Sequence, residues 1–210
     1  MVYKTREKLI EVARQLFVHK GLENTTMSDI ANASEKGRRT IYTYFKNKKE
    51  IYNAVLERES DDMVSALKQV ADSNLEPELK LRKFLKIRLE QGTTIGSSFS
   101  AIKALFKFDI RRMERIRRMV HDKEYALLRS ILAEGVQSGV FDDSKVELFS
   151  RFATRCIQGM DLCEIDSESA QYTPQIQSAF IDFITEGITN NTIVKNSNIQ
   201  PFKLSQNEIT

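Results

Sequence analysis

Two adjacent arginines, followed at helical spacing by hydroxyl-bearing side chains, make Arg38, Arg39, Tyr42 and Thr43 the residues of this chain best suited to grip a partner. Arg38 to Tyr42 and Arg39 to Thr43 are each spaced i to i+4, so on a helix the four share one face, flanked by Thr40 and Tyr44. That chemistry suits the major groove of DNA. A guanidinium reads a guanine edge through two hydrogen bonds, threonine meets either base type, and a tyrosine hydroxyl reaches phosphate. Catalysis has no comparable set, because no Ser-His-Asp order, glycine-rich phosphate loop, HExxH pair or paired-carboxylate spacing occurs. No catalytic residue is expected, and the chain reads as a non-enzyme. Cys156 and Cys163 lie on one expected helix with His19 and His121 as the only histidines, which leaves no zinc spacing. Both thiols are expected buried and free, with no metal and no cofactor.

An exposed reading face needs an anchored back. Ile41 and Phe45 fall one turn apart opposite it and must point inward. Ahead of them, Thr26 precedes the apolar spacing of Met27, Ile30 and Ala31 with Asp29 three residues on, the arrangement of an N-cap and a weak capping box. Between the two short helices stands Ser34-Glu35-Lys36-Gly37, in which Glu35 must accept whatever positive φ the turn demands. Thr25 to Lys49 is therefore expected to be a helix-turn-helix. Residues 5–20 place Leu9, Ile10, Ala13, Leu16 and Phe17 at helical spacing before Gly21, giving a bracing first helix. Asn47-Lys48-Lys49-Glu50 reads as a capping box that opens a long helix through Ile51, Val55, Leu56, Met63, Leu67 and Val70. Lys48 stands in the first turn of that helix, where a cation gains nothing from the helix dipole, so a phosphate contact is its expected role.

These positions resemble the DNA-binding head of the TetR family of bacterial transcriptional repressors, in Thr25-Thr26, Ile30-Ala31, Thr40-Ile41-Tyr42, Tyr44-Phe45 and Asn47-Lys48. Beyond this head only helix lengths match. One departure lies in the turn, where the family has Ala-Gly-Val-Ser: here the turn glycine is missing, Lys36 takes a normally apolar site, and Gly37 replaces the usual capping serine. The resemblance implies a dimeric, ligand-responsive repressor that docks on a palindromic operator through residues 37–45. It implies DNA contacts from Thr25, Thr26, Arg38, Arg39, Thr40, Tyr42, Thr43, Tyr44 and Lys48, the last to phosphate. It also implies a small-molecule effector, apolar or acyl-CoA-like.

The remaining chain is expected to be all-α: a three-helix head over residues 1–47, a larger helical ligand-binding and dimerisation domain over 48–190, and a loosely held tail over 191–210. Residues 1–58 carry 12 Lys+Arg against 7 Asp+Glu, a charge of +5 that leaves −2 for the rest, so the basic excess lies in the head. Pro77 starts a helix through Leu81, Phe84, Leu85 and Leu89. Phe99 to Phe106 suggests a short one, and Ile116 to Leu132 a long one ending near Gly139. Ser144 with Glu147 is expected to cap a helix running to Cys163, and Thr173-Pro174 to start another. The wide apolar stripes of these last two are expected to dimerise, with Phe152, Cys156, Met160, Phe180 and Ile184 in the interface. Gln91, Thr93, Phe99 and Phe106 are expected to line an effector pocket, with Arg112 and Arg115 added for a phosphate-bearing ligand. A constitutive DNA-binding protein without effector, or a helical protein-interaction module, stands as the alternative. No apolar run approaches the roughly 18 residues of a membrane span. MVYKTREK also lacks the apolar core of a secretory signal, so no membrane partner and a cytoplasmic location are expected.

Overall fold

The computed structural model describes residues 2–90, 110–163 and 174–189, and every regular element in them is an α-helix. In chain order these are α1 (Val2–Lys20), α2 (Met27–Ala33), α3 (Arg38–Tyr44), α4 (Lys48–Ala71), α5 (77–90), α6 (Ile110–Gln137), α7 (Asp143–Cys163) and α8 (Pro174–Ile188). The long helices keep the expected order, although α1 begins three residues earlier than its apolar spacing marks. The expected helix at Phe99 to Phe106 and the tail from 191 lie outside the described residues.

Local chemistry sets the ends. Gly21, at φ +81°, closes α1, and Gly139, at φ +77°, follows α6, both in the left-handed region where a side chain would be strained. Asn47 caps α4 by accepting from the Glu50 amide at 3.0 Å. Glu50 reaches back to the Lys46 amide at 2.7 Å, one residue before the position a capping box uses. At α7 the expected cap is displaced. Asp142, not Ser144, accepts from the Ser144 amide at 3.0 Å and from its hydroxyl at 2.6 Å, while Glu147 turns outward to Arg129 and Arg151. A carboxylate one position ahead of the helix outcompetes a serine inside it.

The helices enclose two cores. In the head, Leu9, Ile10 and Ala13 of α1 pack with Met27, Ile30, Ala31, Ile41 and Phe45, and with Ile51, Ala54 and Val55 from the first turns of α4. In the body, Met63 and Leu67 from the second half of α4 join residues of α5 to α8, among them Phe84, Leu85, Leu128, Ile131, Ile157 and Ile184. Each fully buried Leu, Ile or Phe contributes about 1.5–3 kcal/mol, against about 0–1 kcal/mol for an exposed ion pair, so the two cores dominate stability.

Lys80 binds three elements together within the body. The residue is 4% exposed, and its ammonium donates to both carboxylate oxygens of Glu134 on α6, at 2.8 and 2.7 Å, and to the Ala71 carbonyl that ends α4, at 3.1 Å. At the far end, the α6–α7 turn is sewn to α8: the Asp142 amide donates to Ile188 O at 3.0 Å, and Phe141 pairs with Thr189. Phe141, 2% exposed, packs its ring against Gly135, where an added Cβ would sit 2.0 Å from Cδ2 of the ring. Gly135→Ala is therefore expected to destabilise the body by about 1–3 kcal/mol of overpacking, more than the roughly 1 kcal/mol that alanine returns in helix propensity. A fall in the urea midpoint at unchanged slope checks it; an unchanged or higher midpoint would show that Phe141 can move aside.

Candidate nucleic-acid interface

The α2–turn–α3 unit is fixed from both ends before any partner arrives. Thr26, in extended backbone at φ −107° and ψ 161°, accepts from the Asp29 amide at 3.1 Å, and Asp29 accepts from the Thr26 amide at 2.8 Å. The capping box is thus complete. Asp29 also takes the Lys20 ammonium at 2.9 Å and the Thr26 hydroxyl at 2.8 Å. The Lys20 ammonium foremost, then the Thr26 donors, hold its carboxyl down at about 2.

The turn solves its missing glycine in a definite way. Lys36 N–H donates to Ala31 O at 2.9 Å and Glu35 N–H to Asn32 O at 3.0 Å, the two bonds of a Schellman closure. The first residue past the cap of such a closure must be left-handed, and Glu35 is, at φ +58°. Its carboxylate is held by Lys8 of α1 at 3.1 Å, which also depresses its pKa. Gly37 then precedes α3 with no side-chain cap. Buried Ser34 donates its hydroxyl to Ala31 O at 2.9 Å, so the turn leaves no buried hydroxyl unpaired.

α3 carries its reading face on an anchored back. Ile41 is 0% and Phe45 3% exposed, and the Arg6 guanidinium lies 5.4 Å above the Phe45 ring. On the other side Arg38, Arg39 and Thr43 are exposed and Tyr42 is 46% exposed. Neither guanidinium has an intramolecular partner among the described residues. Thr43 donates its hydroxyl to Arg39 O at 3.0 Å, leaving its methyl and oxygen lone pairs outward. Thr40 is half-buried, and Tyr44 is half-buried against the head core. Lys46, exposed just past α3, extends the basic surface; its position within FKNKK was the only sign of it.

Three expected contacts are placed differently. Thr25 is 0% exposed and donates its hydroxyl to Gly21 O at 2.7 Å and Leu16 O at 3.3 Å, so its side chain braces the end of α1 and cannot reach DNA. Thr26 is exposed, yet its hydroxyl both donates to and accepts from Asp29. Lys48 is half-buried, with its ammonium on the Leu22 and Glu23 carbonyls at 2.8 and 3.2 Å.

Elsewhere, Gln91, Thr93, Phe99 and Phe106 lie outside the described residues, as do the side chains of Arg112 and Met160; Arg115 is exposed on α6. Of the interface expected on α7 and α8, Phe152 is 56% exposed, Cys156 and Phe180 are half-buried, and Ile184, at 4%, belongs to the body core. Burial pushes the Cys156 thiol pKa up. The outward apolar residues of these helices are Leu148 at 75%, Phe152 at 56% and Phe183 at 74% exposed. A buried charged group missed in the sequence joins α5 to α6: Arg88 Nε lies 2.7 Å from one oxygen of Glu124, and His121 Nδ1 lies 3.2 Å from the other. Its visible signal was Glu124 on the inward face of α6, one turn before Leu128.

A tethered short helix whose outward face is basic and hydroxylic, set on a closed turn, defines a helix-turn-helix DNA-binding protein. Residues 9–55 match the family model of bacterial regulatory proteins, tetR family. The chain is 28% identical over 153 residues to the HTH-type transcriptional repressor KstR2 of Rhodococcus jostii (strain RHA1), covering 70% of this chain and 73% of that one. Its fold matches a transcriptional regulator from Cytophaga hutchinsonii ATCC 33406 at a TM-score of 0.72, with 18% identity over 88% of this chain and 98% of that one. It also matches the fatty acid degradation regulator FadR from Bacillus halodurans at 0.61, with 17% identity over 87% and 93%. The head carries the DNA-binding domain of the tetR family of bacterial regulatory proteins, and this match with the curated relatives supports a DNA-binding transcriptional regulator.

Holding Glu35 left-handed costs a side chain about 1–2 kcal/mol that glycine does not face, while its pair with Lys8 is exposed and screened by water. Glu35→Gly is therefore expected to raise the thermal midpoint slightly at unchanged DNA affinity; a lower midpoint would mean that the Lys8 contact outweighs the backbone strain.

Proposed function

We propose that the protein is a homodimeric repressor that reads a palindromic operator with α3 and is released from it by a small-molecule effector in the cytoplasm. The observation that carries the reading is the outward face of α3, with Arg38 and Arg39 unpartnered among the described residues and Tyr42 and Thr43 beside them, on a helix held by Ile41 and Phe45. Arg39 reads a base edge, and Tyr42 positions the helix on phosphate. Arg39→Ala is expected to relax preference at one operator position at a cost of about 1–3 kcal/mol, read by selection from random duplex DNA. An unchanged preference would remove Arg39 from the reading set.

Dimerisation is supported by the outer side of α7 and α8. Leu148, Phe152 and Phe183, all more than half exposed, are large apolar residues that two copies would cover. A two-fold pair would set two α3 helices about one DNA turn, or a multiple of it, apart. Phe152→Glu combined with Phe183→Glu is expected to yield a folded monomer by sedimentation. Ile184→Glu is expected instead to unfold the body, since it drives a carboxylate into a site 4% exposed. A monomeric wild type at micromolar concentration would sink the dimer.

Release by an effector is supported by the continuity of α4, whose two halves belong to different cores. A ligand that favours one tilt of α4 changes the affinity for operator, and operator then changes the affinity for ligand by the same factor. Its class is apolar or acyl-CoA-like, in keeping with the aromatic residues Phe99 and Phe106 and with the fatty acid degradation regulator that shares the fold.

A further inference from the structure

Arg88, His121 and Glu124 form a charged group inside the body that DNA reading does not use. Arg88 and Glu124 are 4% and 7% exposed, and the His121 side chain is 14% exposed. The helices that carry them, α5 and α6, also bring Leu85, Leu89 and Leu128 into the body core. An ion pair in such surroundings loses much of its hydration, so apolar residues would serve packing at least as well. The group therefore asks for a chemical reason.

Its proton positions follow from its partners. The Glu124 carboxylate only accepts: Arg88 Nε lies 2.7 Å from Oε1, and His121 Nδ1 lies 3.2 Å from Oε2. The imidazole thus carries its proton on Nδ1 and turns the lone pair of Nε2 the other way. Nε2 is buried and has no hydrogen-bond partner among the described residues. A buried polar atom calls for a partner, and the carboxylate behind the ring orients this one to meet it. Charged groups that α4, α5 and α7 bring to the same bundle are paired with others: Asp61 with Lys123 at 3.9 Å, Lys86 with Glu90 at 3.8 Å, and Glu147 with Arg129 and Arg151.

Charge decides what the partner of Nε2 is. Arg88 and Glu124 cancel, and a neutral imidazole leaves the sum unchanged. A carbonyl oxygen, as in a thioester, would need a second proton on the ring and so leave a positive charge buried. A carboxylic acid does not. With its proton on oxygen it donates to Nε2; with the proton on the ring, the imidazolium donates to a carboxylate, and both arrangements are neutral. An alcohol donates as well, but forms only the weaker bond between neutral groups. We propose that His121 Nε2, oriented by Glu124 and Arg88, is the polar end of the effector site and takes the carboxyl group of an apolar carboxylic acid. The proposal rests on the effector reading and narrows its ligand to a free acid rather than a thioester.

The test titrates octanoic, dodecanoic and hexadecanoic acid, the matching alcohols and the matching coenzyme A thioesters into the full chain, by calorimetry in two buffers of different ionisation enthalpy. An ionised acid brings no proton from neutral solution, so uptake of about one proton per acid bound is expected, and no uptake with the alcohols. The chain holds two histidines, His19 and His121. With their ring nitrogens isotope-labelled for magnetic resonance, the acid is expected to move the His121 signals to those of an imidazolium and to leave those of exposed His19 in place. His121→Phe, folded by circular dichroism, is expected to bind the acid about tenfold more weakly and without proton uptake. Uptake that persists in this variant, unmoved His121 signals, a thioester that binds tighter than its acid, or no acid bound at all would each overturn the proposal. The wild-type ring signals decide it even where the variant does not fold. An acid that binds with its proton yet leaves operator affinity unchanged would keep this site and sink the effector reading, whereas release of operator by the thioesters alone would do the reverse.

Discussion

Everything in this molecule depends on one helix having to satisfy two cores. α4 gives Ile51, Ala54 and Val55 to the head and Met63 and Leu67 to the body, all in one run of hydrogen-bonded backbone. Its 24 residues extend about 36 Å, and a helix without proline, glycine or a π-bulge bends only gently over that length. Head and body therefore cannot change their relative tilt by flexing a linker. They change it by repacking one end of α4 or the other, where each displaced apolar side chain is worth about 1.5–3 kcal/mol. The family match ends at Val55, the last α4 residue of the head core. Placing the boundary at residue 47 follows the chain's punctuation, whereas the packing divides inside the helix.

The head was legible almost residue by residue because its determinants are local. Caps, turn closures and one-turn spacings depend on residues within about five positions of one another, so Thr26 with Asp29, the left-handed Glu35 and the inward pair Ile41 and Phe45 could all be read in advance. What stayed hidden is what reaches across sequence. The partners of Lys48 lie 25 and 26 residues back, Lys8 holds Glu35 across 27, and Lys80 meets Glu134 across 54. No periodicity records such pairings. Thr25 misled for a related reason: a threonine beside a helix start fits a phosphate contact and an interior brace equally well, and only its burial separates the two.

The body was legible as helices and much less as faces. An apolar stripe at i, i+3, i+4 and i+7 says that a side of the helix is dry, but α7 and α8 are apolar over more of their circumference than one neighbour covers. Ile184 and Phe183 are adjacent in sequence and opposite in fate, the first 4% and the second 74% exposed. A stripe reading assigns both to the same surface. Only the packed bundle shows that Ile184, with Ile181 and Ile188, belongs to the core, while Phe183 continues the outward line of Leu148 and Phe152. The same limit applies to Ser144, where a capping signal inside α7 was outcompeted by Asp142 just outside it.

The polar contacts along α4 differ in a way that bears on how the helix can move. Near its middle, Arg58 reaches Glu7 at 3.3 Å, Glu11 at 3.9 Å and Asp62 at 3.8 Å, with its side chain 36% exposed. Such pairs are screened by water and salt, contribute roughly 0–1 kcal/mol each, and exchange partners at little cost. At the two ends the contacts are of another kind. Lys48 meets backbone carbonyls of the head, and Lys80 meets the last-turn carbonyl of α4 together with Glu134 while only 4% exposed. The buried Lys80 ammonium, if it lost such partners, would be left in low dielectric, which costs several times an exposed pair, whereas Lys48 is half-buried and stays partly in water. Resistance to motion from polar contacts is thus concentrated at the Lys80 end of α4 and is weaker near Arg58, where the two cores also part. A change arising in the body therefore meets least opposition where it alters the angle between α1 and α4, and that angle sets where α3 stands.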